Sequence, residues 1–270
     1  MATRANEVQT EEVLYEVSDR VATITFNRAE LQNTISGPML GALSRYLLEA
    51  NDDTDVRAIV ITGSGRFFCA GLDLRGGGIA DSGSSQNAGA SNLDLRNAPP
   101  TVLHNLDTPT ICALNGSAAG YGMDLALGCD IRIMADSAKL AAAFTARGVV
   151  PESGGTWILP RLIGWSKAAE LIFTGRTLLA DECESLGLVS KVVPADEIAD
   201  VAHALGVEIA ANAPLAVQAS KRMMRMGMNE TFNDHVHHVY LQLLPLFRSE
   251  DFREGMAAFM EKRKAEFKGS

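Results

Sequence analysis

Short β-prone runs that recur with helical segments between them predict an α/β fold for this chain. Three observations carry the prediction. Apolar, β-branched stretches stand at 13–17, 21–26, 57–62, 110–114 and 130–134. Helical periodicity separates them, and two glycine-punctuated turns each follow one of the stretches. A simple doubly wound sheet does not fit the spacing, because pairs of short strands precede single helices.

In chain order, the runs 13–17 and 21–26 flank Ser18-Asp19-Arg20, which reads as a hairpin turn. Met39, Leu40, Leu43, Leu47 and Ala50 share one face of a helix over 38–50. A strand at 57–62 leads to the first glycine turn, followed by a Gly/Ser/Ala/Asn stretch at 76–91 that can bury little apolar area and reads as a mobile surface loop. A helix near 92–106, a strand at 110–114, a helix from Gly120 to about Gly128 and a strand at 130–134 come next. Helices are predicted near 153–163, 165–174, 180–186 and 196–212. The last 60 or so residues contain no convincing strand. They carry Met223, Met224, Met226 and Met228, and an end where Phe252, Met256, Phe259 and Met260 recur opposite Lys262, Arg263 and Lys264. Such a stripe must pack on the chain's own core or on a neighbouring subunit, and its methionines favour assembly.

Length and composition narrow the classes. At 270 residues with 47% hydrophobic content, the chain suits one large domain or a core with a helical appendage. A net charge of −9 offers no basic excess for nucleic acid. Cys69, Cys112, Cys129 and Cys183 show no CxxC spacing and read as reduced interior residues. The N-terminal residues lack the apolar region of a secretory signal, and no apolar stretch approaches the roughly 20 residues that span a bilayer. The expectation is a soluble cytoplasmic protein, with neither a nucleic-acid nor a membrane partner.

The chemistry concentrates in the two turns. The first is Phe67-Phe68-Cys69-Ala70-Gly71-Leu72-Asp73-Leu74, and the second runs from Asn115-Gly116 through Gly120-Tyr121-Gly122 to Asp124. Each can aim a backbone N–H at a common point, which makes a site for a developing oxyanion. If Gly120 opens a helix, the N–H groups after it are unpaired and sit at the positive end of the helix dipole. Glycines that merely allow tight packing are the plain alternative, and the pairing of two such turns argues against it. Glu152, in Pro151-Glu152-Ser153-Gly154-Gly155, is either a helix-start residue or a general base whose apolar neighbours Val149, Val150, Pro151 and Trp157 raise its pKa. The sequence leaves Asp124 open between a buried partner for backbone donors and a second acid/base group. His235, His237 and His238 have spacing that could bind a metal, yet no carboxylate or cysteine cluster accompanies them, and no metal site is expected. No GxSxG elbow, GxGxxG fingerprint or phosphate loop occurs.

These residues resemble the crotonase family, also called the enoyl-CoA hydratase/isomerase superfamily. The likeness runs from Asn27-Arg28 and Asn33 through both turns, Leu125–Asp130, Gly154-Gly155-Thr156, Leu159-Pro160-Arg161, Thr174-Gly175-Arg176 and Gly187-Leu188-Val189 to Glu254–Phe259 and Glu261-Lys262-Arg263. The resemblance implies a ClpP/crotonase-like spiral of ββα units over 1–205 and a helical trimerisation region over 206–270. It further implies acyl-CoA thioesters as ligands, a homo-trimer or hexamer, and no cofactor beyond the CoA of the substrate. It places the oxyanion donors at the N–H groups of Ala70 and Tyr121. Arg28 and the Asp73-Leu74 backbone would lie along CoA, and Lys262 would reach it, from the adjacent subunit in one arrangement. Leu31, Leu72, Gly120, Gly122, Phe144, Pro151 and Phe259 would line the ligand, with the loop 76–91 flanking the acyl pocket.

Departures from the family pattern bear on the reaction. Family hydratases hold a water between two glutamates, and those positions fall here on Asp124 and Phe144, of which the phenylalanine cannot move a proton. An acid stands instead at Glu152, as in the enoyl-CoA isomerase branch and the ring-opening isomerase of phenylacetate breakdown. A dehalogenase branch has a nucleophilic aspartate at that place. The resemblance therefore implies double-bond isomerisation with Glu152 as proton shuttle. Hydration using Asp124 and Glu152, or acyl-CoA binding without catalysis, are the alternatives.

Overall fold

The computed structural model describes residues 12–73 and 96–270. Leu74 and the loop expected at 76–91 lie outside the described residues. Strands β1 (Val13–Ser18) and β2 (Val21–Phe26) form an antiparallel hairpin whose register pairs Ser18 with Val21. The turn is thus Asp19-Arg20 alone, with Ser18 closing β1 rather than belonging to the turn. Both turn residues have positive φ, 50° and 66°, the geometry that matches the strands' right-handed twist. Helix α1 (Gly37–Asp52) starts at Ser36, whose side chain accepts from the Met39 N–H at 3.2 Å, and it buries Met39, Leu43, Leu47 and Ala50.

Three strand pairs then repeat one pattern. They are β3 (Ala58–Gly63) with β4 (Phe67–Cys69), β5 (Thr110–Leu114) with β6 (Ser117–Ala119), and β7 (Ile131–Ala135) with β8 (Lys139–Ala141). Helix α2 (Pro99–Asn105) precedes the second pair and α3 (Tyr121–Gly128) comes after it. After the third come α4 (Gly155–Ile163) and α5 (Trp165–Thr174). In each pair the first strand joins one sheet and the second joins another. With β9 (Thr177–Leu179) and β10 (Lys191–Val193), the sheets run β1-β2-β3-β5-β7-β10 and β4-β6-β8-β9. All pairings are parallel except β1–β2 and β8–β9. Each ββα unit advances one position in both sheets, which builds the spiral.

Strand β5 is buried at every position, as a parallel strand covered on both faces must be. Beyond α6 (Ala180–Ser185), helix α7 (Ile198–Ala210) packs on β2, β3, β5 and β7 and runs across the boundary expected at 205/206. Helices α8 (Pro214–Gly227) and α9 (Phe232–Leu246) pack on each other, and α10 (Glu250–Glu261) ends the helical region. In the single chain α9 and α10 leave apolar side chains in solvent, among them Phe232 at 79%, Phe259 at 78% and Met260 at 75% exposure. All four cysteines are free and buried. Among the described residues no helix is long and apolar enough to cross a membrane.

Five strands escape the sequence reading: β4, β6, β8, β9 and β10 have three residues each. Three residues complete less than two side-chain periods, so they carry no alternation to detect. Helix α4 also starts later than 153, because Gly154 adopts a left-handed φ of 97°.

Candidate active site

The two glycine turns converge because each continues a strand of the smaller sheet. β4 and β6 pair in parallel, Phe67 opposite Ser117 and Cys69 opposite Ala118, so the chain leaves both at the same sheet end. Beyond that end the two segments are packed closely. Gly122 lies against Cys69 so tightly that a Cβ there would overlap the Cys69 carbonyl. Gly71 has φ 109°, and a Cβ on it would stand 3.1 Å from the Ala119 carbonyl oxygen and 3.9 Å from the Tyr121 nitrogen. The turns meet within one side chain's width.

The donor in the first turn is not the expected one. The Ala70 N–H donates to the Gln32 carbonyl at 3.0 Å and is unavailable to a ligand. The next peptides form a parallel bridge with Ile35, whose N–H donates to the Gly71 carbonyl at 2.8 Å and whose carbonyl accepts from the Asp73 N–H at 3.0 Å. In such a bridge the intervening residue turns its own N–H to the opposite side. Leu72 therefore presents its N–H away from Ile35, and no acceptor meets it among the described residues. The open amide of the first turn is thus that of Leu72, where Ala70 was expected. In the second turn Tyr121 opens α3 after Gly120 (φ 53°, ψ −124°). The Gly120 N–H is taken by the Ala141 carbonyl at 3.1 Å, and the Tyr121 N–H is one of the first-turn donors left without a helical partner.

Asp124, on the first turn of α3, is buried, with only 2% exposure. Its Oδ2 accepts from the N–H groups of Ser153 (3.1 Å) and Gly155 (3.3 Å), and Oδ1 occupies the place a Cβ at 155 would need. The carboxylate thus caps the start of α4, the backbone-partner role of the two the sequence left open. Burial, aided by the charge of Glu152, nonetheless lifts its pKa from 3.8 to about 7. Between these values the folded chain keeps a proton that the unfolded chain has released, so stability falls as pH rises through that window. Asp124→Asn keeps an acceptor for the two N–H groups and removes the titration. Its melting temperature relative to wild type is expected to rise between pH 4 and 7, and a difference that stays constant with pH contradicts the assignment.

Glu152 is exposed in the single chain, yet partial burial raises its pKa. Its charge reaches both Tyr121 and Asp124. The apolar crowd expected around it is thinner than the sequence suggests: Pro151 is buried, but Val149 and Val150 are 53% and 67% exposed. The buried Tyr121 phenol, beside Ser153 and near Cys69, Glu152 and Asp124, is held neutral by burial above all. Sequence reasoning used only the main chain of this residue.

Phe144 is buried and its ring edge comes 4.0 Å from where a Cβ at Gly120 would be, so an apolar wall faces the turn. Leu31 is half-buried in a short 3-10 turn, and its carbonyl is held by Thr34. Arg28, expected along CoA, is engaged by Glu12, Thr34 and Asp73. Phe259 and Lys262 are not brought to the turns: both are exposed, at the end of α10 and just beyond it. The Nδ1 atoms of His235 and His238 both meet Glu230, at 3.3 and 2.9 Å, a carboxylate the sequence reading overlooked. Among the described residues no group of three His, Cys, Asp or Glu side chains is placed to hold a metal. A cavity of about 860 Å³ opens between His104, Trp157 and Met224, but none of the candidate residues lines it.

Two open amide donors on adjoining turns, with a carboxylate nearby, are the parts needed to stabilise an enolate and move a proton. The sequence profile of the enoyl-CoA hydratase/isomerase family matches residues 16–270. The chain belongs to the enoyl-CoA hydratase/isomerase family. It is 36% identical over 259 residues to the 1,2-epoxyphenylacetyl-CoA isomerase of Escherichia coli, covering 95% of this chain and 98% of that one. Against the short-chain-enoyl-CoA hydratase of Clostridium acetobutylicum identity is 34%, with 94% and 96% covered. The crystal structure of an enoyl-CoA hydratase from Bacillus anthracis superposes with a TM-score of 0.86 at 33% identity, covering 96% of this chain and all of that one. The enoyl-CoA hydratase/isomerase family member described here therefore has the crotonase fold, and acyl-CoA thioesters are the substrates of its class.

Proposed function

We propose that this enzyme shifts a carbon–carbon double bond of an enoyl-CoA thioester, with Glu152 as the proton shuttle. The observation that carries the reading is the unequal placement of the two acids. Asp124 is committed to the N–H groups opening α4, whereas the more open Glu152 lies near enough to Tyr121 to influence its titration. In this reading the thioester oxygen sits between the N–H groups of Leu72 and Tyr121. Glu152 removes a C2 proton from a 3-enoyl-CoA, the donors hold the enolate charge, and Glu152 returns the proton at C4. A raised pKa suits a group that must both take and give a proton. Phe144, where a second acid would be needed to hold water, favours isomerisation over hydration. The reaction needs no group beyond these residues and the CoA of the substrate.

Exposed apolar side chains on α9 and α10 support assembly into a trimer or hexamer, with Phe259 and Lys262 serving a neighbouring subunit's ligand. Four unpaired cysteines suit the reducing cytoplasm. Hydration is the second reading, favoured by the charge of Glu152 acting on Asp124. A panel of 3-enoyl-CoA and 2-enoyl-CoA substrates, followed by conjugated-enoyl absorbance and product mass, separates them. The expected result is a gain of absorbance without mass change from 3-enoyl-CoA. Loss of absorbance with a mass gain of one water from 2-enoyl-CoA overturns isomerisation. Acyl-CoA bound without turnover across the panel overturns both.

A further inference from the structure

Arg28 is the least explained charged group near the turns, and its surroundings give it a specific task. Its side chain is only 12% exposed and is used in three directions. Nε faces Glu12 Oε1 at 3.1 Å, Nη1 donates to the Thr34 carbonyl at 2.8 Å, and Nη2 donates to Asp73 Oδ2 at 3.1 Å. Glu12 in turn accepts from the Ser36 hydroxyl at 2.6 Å. The Arg28 N–H donates to Asn33 Oδ1 at 2.9 Å, and Asn33 Nδ2 reaches the carbonyls of Ser64 (2.9 Å) and Phe67 (2.7 Å). Thr34 immediately precedes Ile35, and Asp73 comes directly after Leu72. The guanidinium therefore ties together the two residues that flank the Ile35–Leu72 bridge, and that bridge sets the direction of the Leu72 N–H. A planar fork can hold a carbonyl and a carboxylate in fixed relation, which an ammonium cannot. The Arg28–Asp73 pair is also shielded, at 12% and 15% side-chain exposure, so solvent screens it little.

We infer that Arg28 is a positioning residue for the oxyanion donor at Leu72, acting through Thr34 and Asp73, and not a contact for CoA. The inference rests on the oxyanion site of the proposed function. It assigns the Arg28–Asp73 pair a role in the chemical step, where an arginine beside a polyanionic ligand would ordinarily be given a role in binding. Arg28 can still leave substrate affinity nearly untouched, because a misdirected N–H weakens the developing enolate far more than the neutral ground state.

The test compares wild type with Arg28→Lys, Arg28→Met and Asp73→Asn on three readouts. These are kcat, the inhibition constant of free CoA, and the carbonyl stretch of a bound, unreactive saturated acyl-CoA in isotope-edited infrared difference spectra. Wild type is expected to shift the thioester carbonyl to lower frequency. Arg28→Met is expected to lose most of that shift and roughly 10–100-fold in kcat, part of what deleting one oxyanion donor costs. CoA inhibition should stay within about twofold of wild type, since uniform binding is untouched. Arg28→Lys should behave like Arg28→Met, and Asp73→Asn should change in the same direction, so the result survives if one variant fails to fold. A normal shift in all the folded variants overturns the inference and leaves the proposed function standing. Weakened CoA inhibition at unchanged kcat does the same by making Arg28 a ligand contact. A wild-type enzyme that leaves the bound carbonyl unshifted overturns the oxyanion site and the inference with it.

Discussion

Glu152→Gln is expected to fold as the wild type does and to lose isomerisation of 3-enoyl-CoA by about 10²–10⁴-fold, the range that positioned general acid–base groups supply. The side chain keeps its size and polarity, so packing around Pro151 and Ser153 is unaffected. What disappears is the ability to accept a proton. Because Glu152 must be ionised to take the C2 proton and burial raises its pKa, wild-type kcat/KM should climb as pH rises through that raised value. The variant's residual rate should lack that limb. Steady-state kinetics from pH 4 to 9 with circular dichroism in parallel provide the measurement. Turnover unchanged by the substitution removes Glu152 from the mechanism.

Replacing the backbone N–H of Leu72 by an ester oxygen, through incorporation of its α-hydroxy acid analogue, should lower kcat by about 10²–10³-fold, as loss of one oxyanion donor does. The same replacement at Ala70 should act on stability instead. There the N–H is spent on the Gln32 carbonyl, and removing it costs about 1 kcal/mol of folding free energy with kcat near wild type. The two positions are two residues apart in one turn, so the contrast isolates direction from proximity. A large kcat loss at 70 with none at 72 would reverse the assignment.

Much of the site was readable in the sequence, and the reason is local. Gly120, Gly122 and Gly71 announce places where backbone must approach backbone, and the strands β3 and β5 before them are long enough to show their pattern. Glu152 stood out because an acid beside paired glycines at a helix start is a distinctive arrangement. Two features of the site depend on contacts that the local sequence does not show. Ala70 and Leu72 are both small steps from Gly71, and nothing in their side chains tells which N–H is free; that depends on Gln32 and Ile35, over 30 positions away. Arg28 likewise looks like any half-exposed cation near a predicted anion site, until Thr34 and Asp73 close around it. The Glu230 carboxylate that meets His235 and His238 lies in the α8–α9 connection itself, five and eight residues before them, where the chain's turn into α9 brings it back onto the helix.

The amino-acid order alone determined the α/β class, the alternation of helices with strands, the two glycine turns and the family to which they belong. Those features depend on side-chain period and backbone freedom, which are properties of neighbouring residues. Tertiary structure decided which amide of the first turn is left open, that Asp124 caps α4 while Glu152 stays open, and that Arg28 bonds Thr34 and Asp73 on either side of the Ile35–Leu72 bridge. Each of those outcomes is a competition for a hydrogen bond between segments brought together by the parallel pairing of β4 with β6, and three-residue strands carry too little pattern for that pairing to be read in advance.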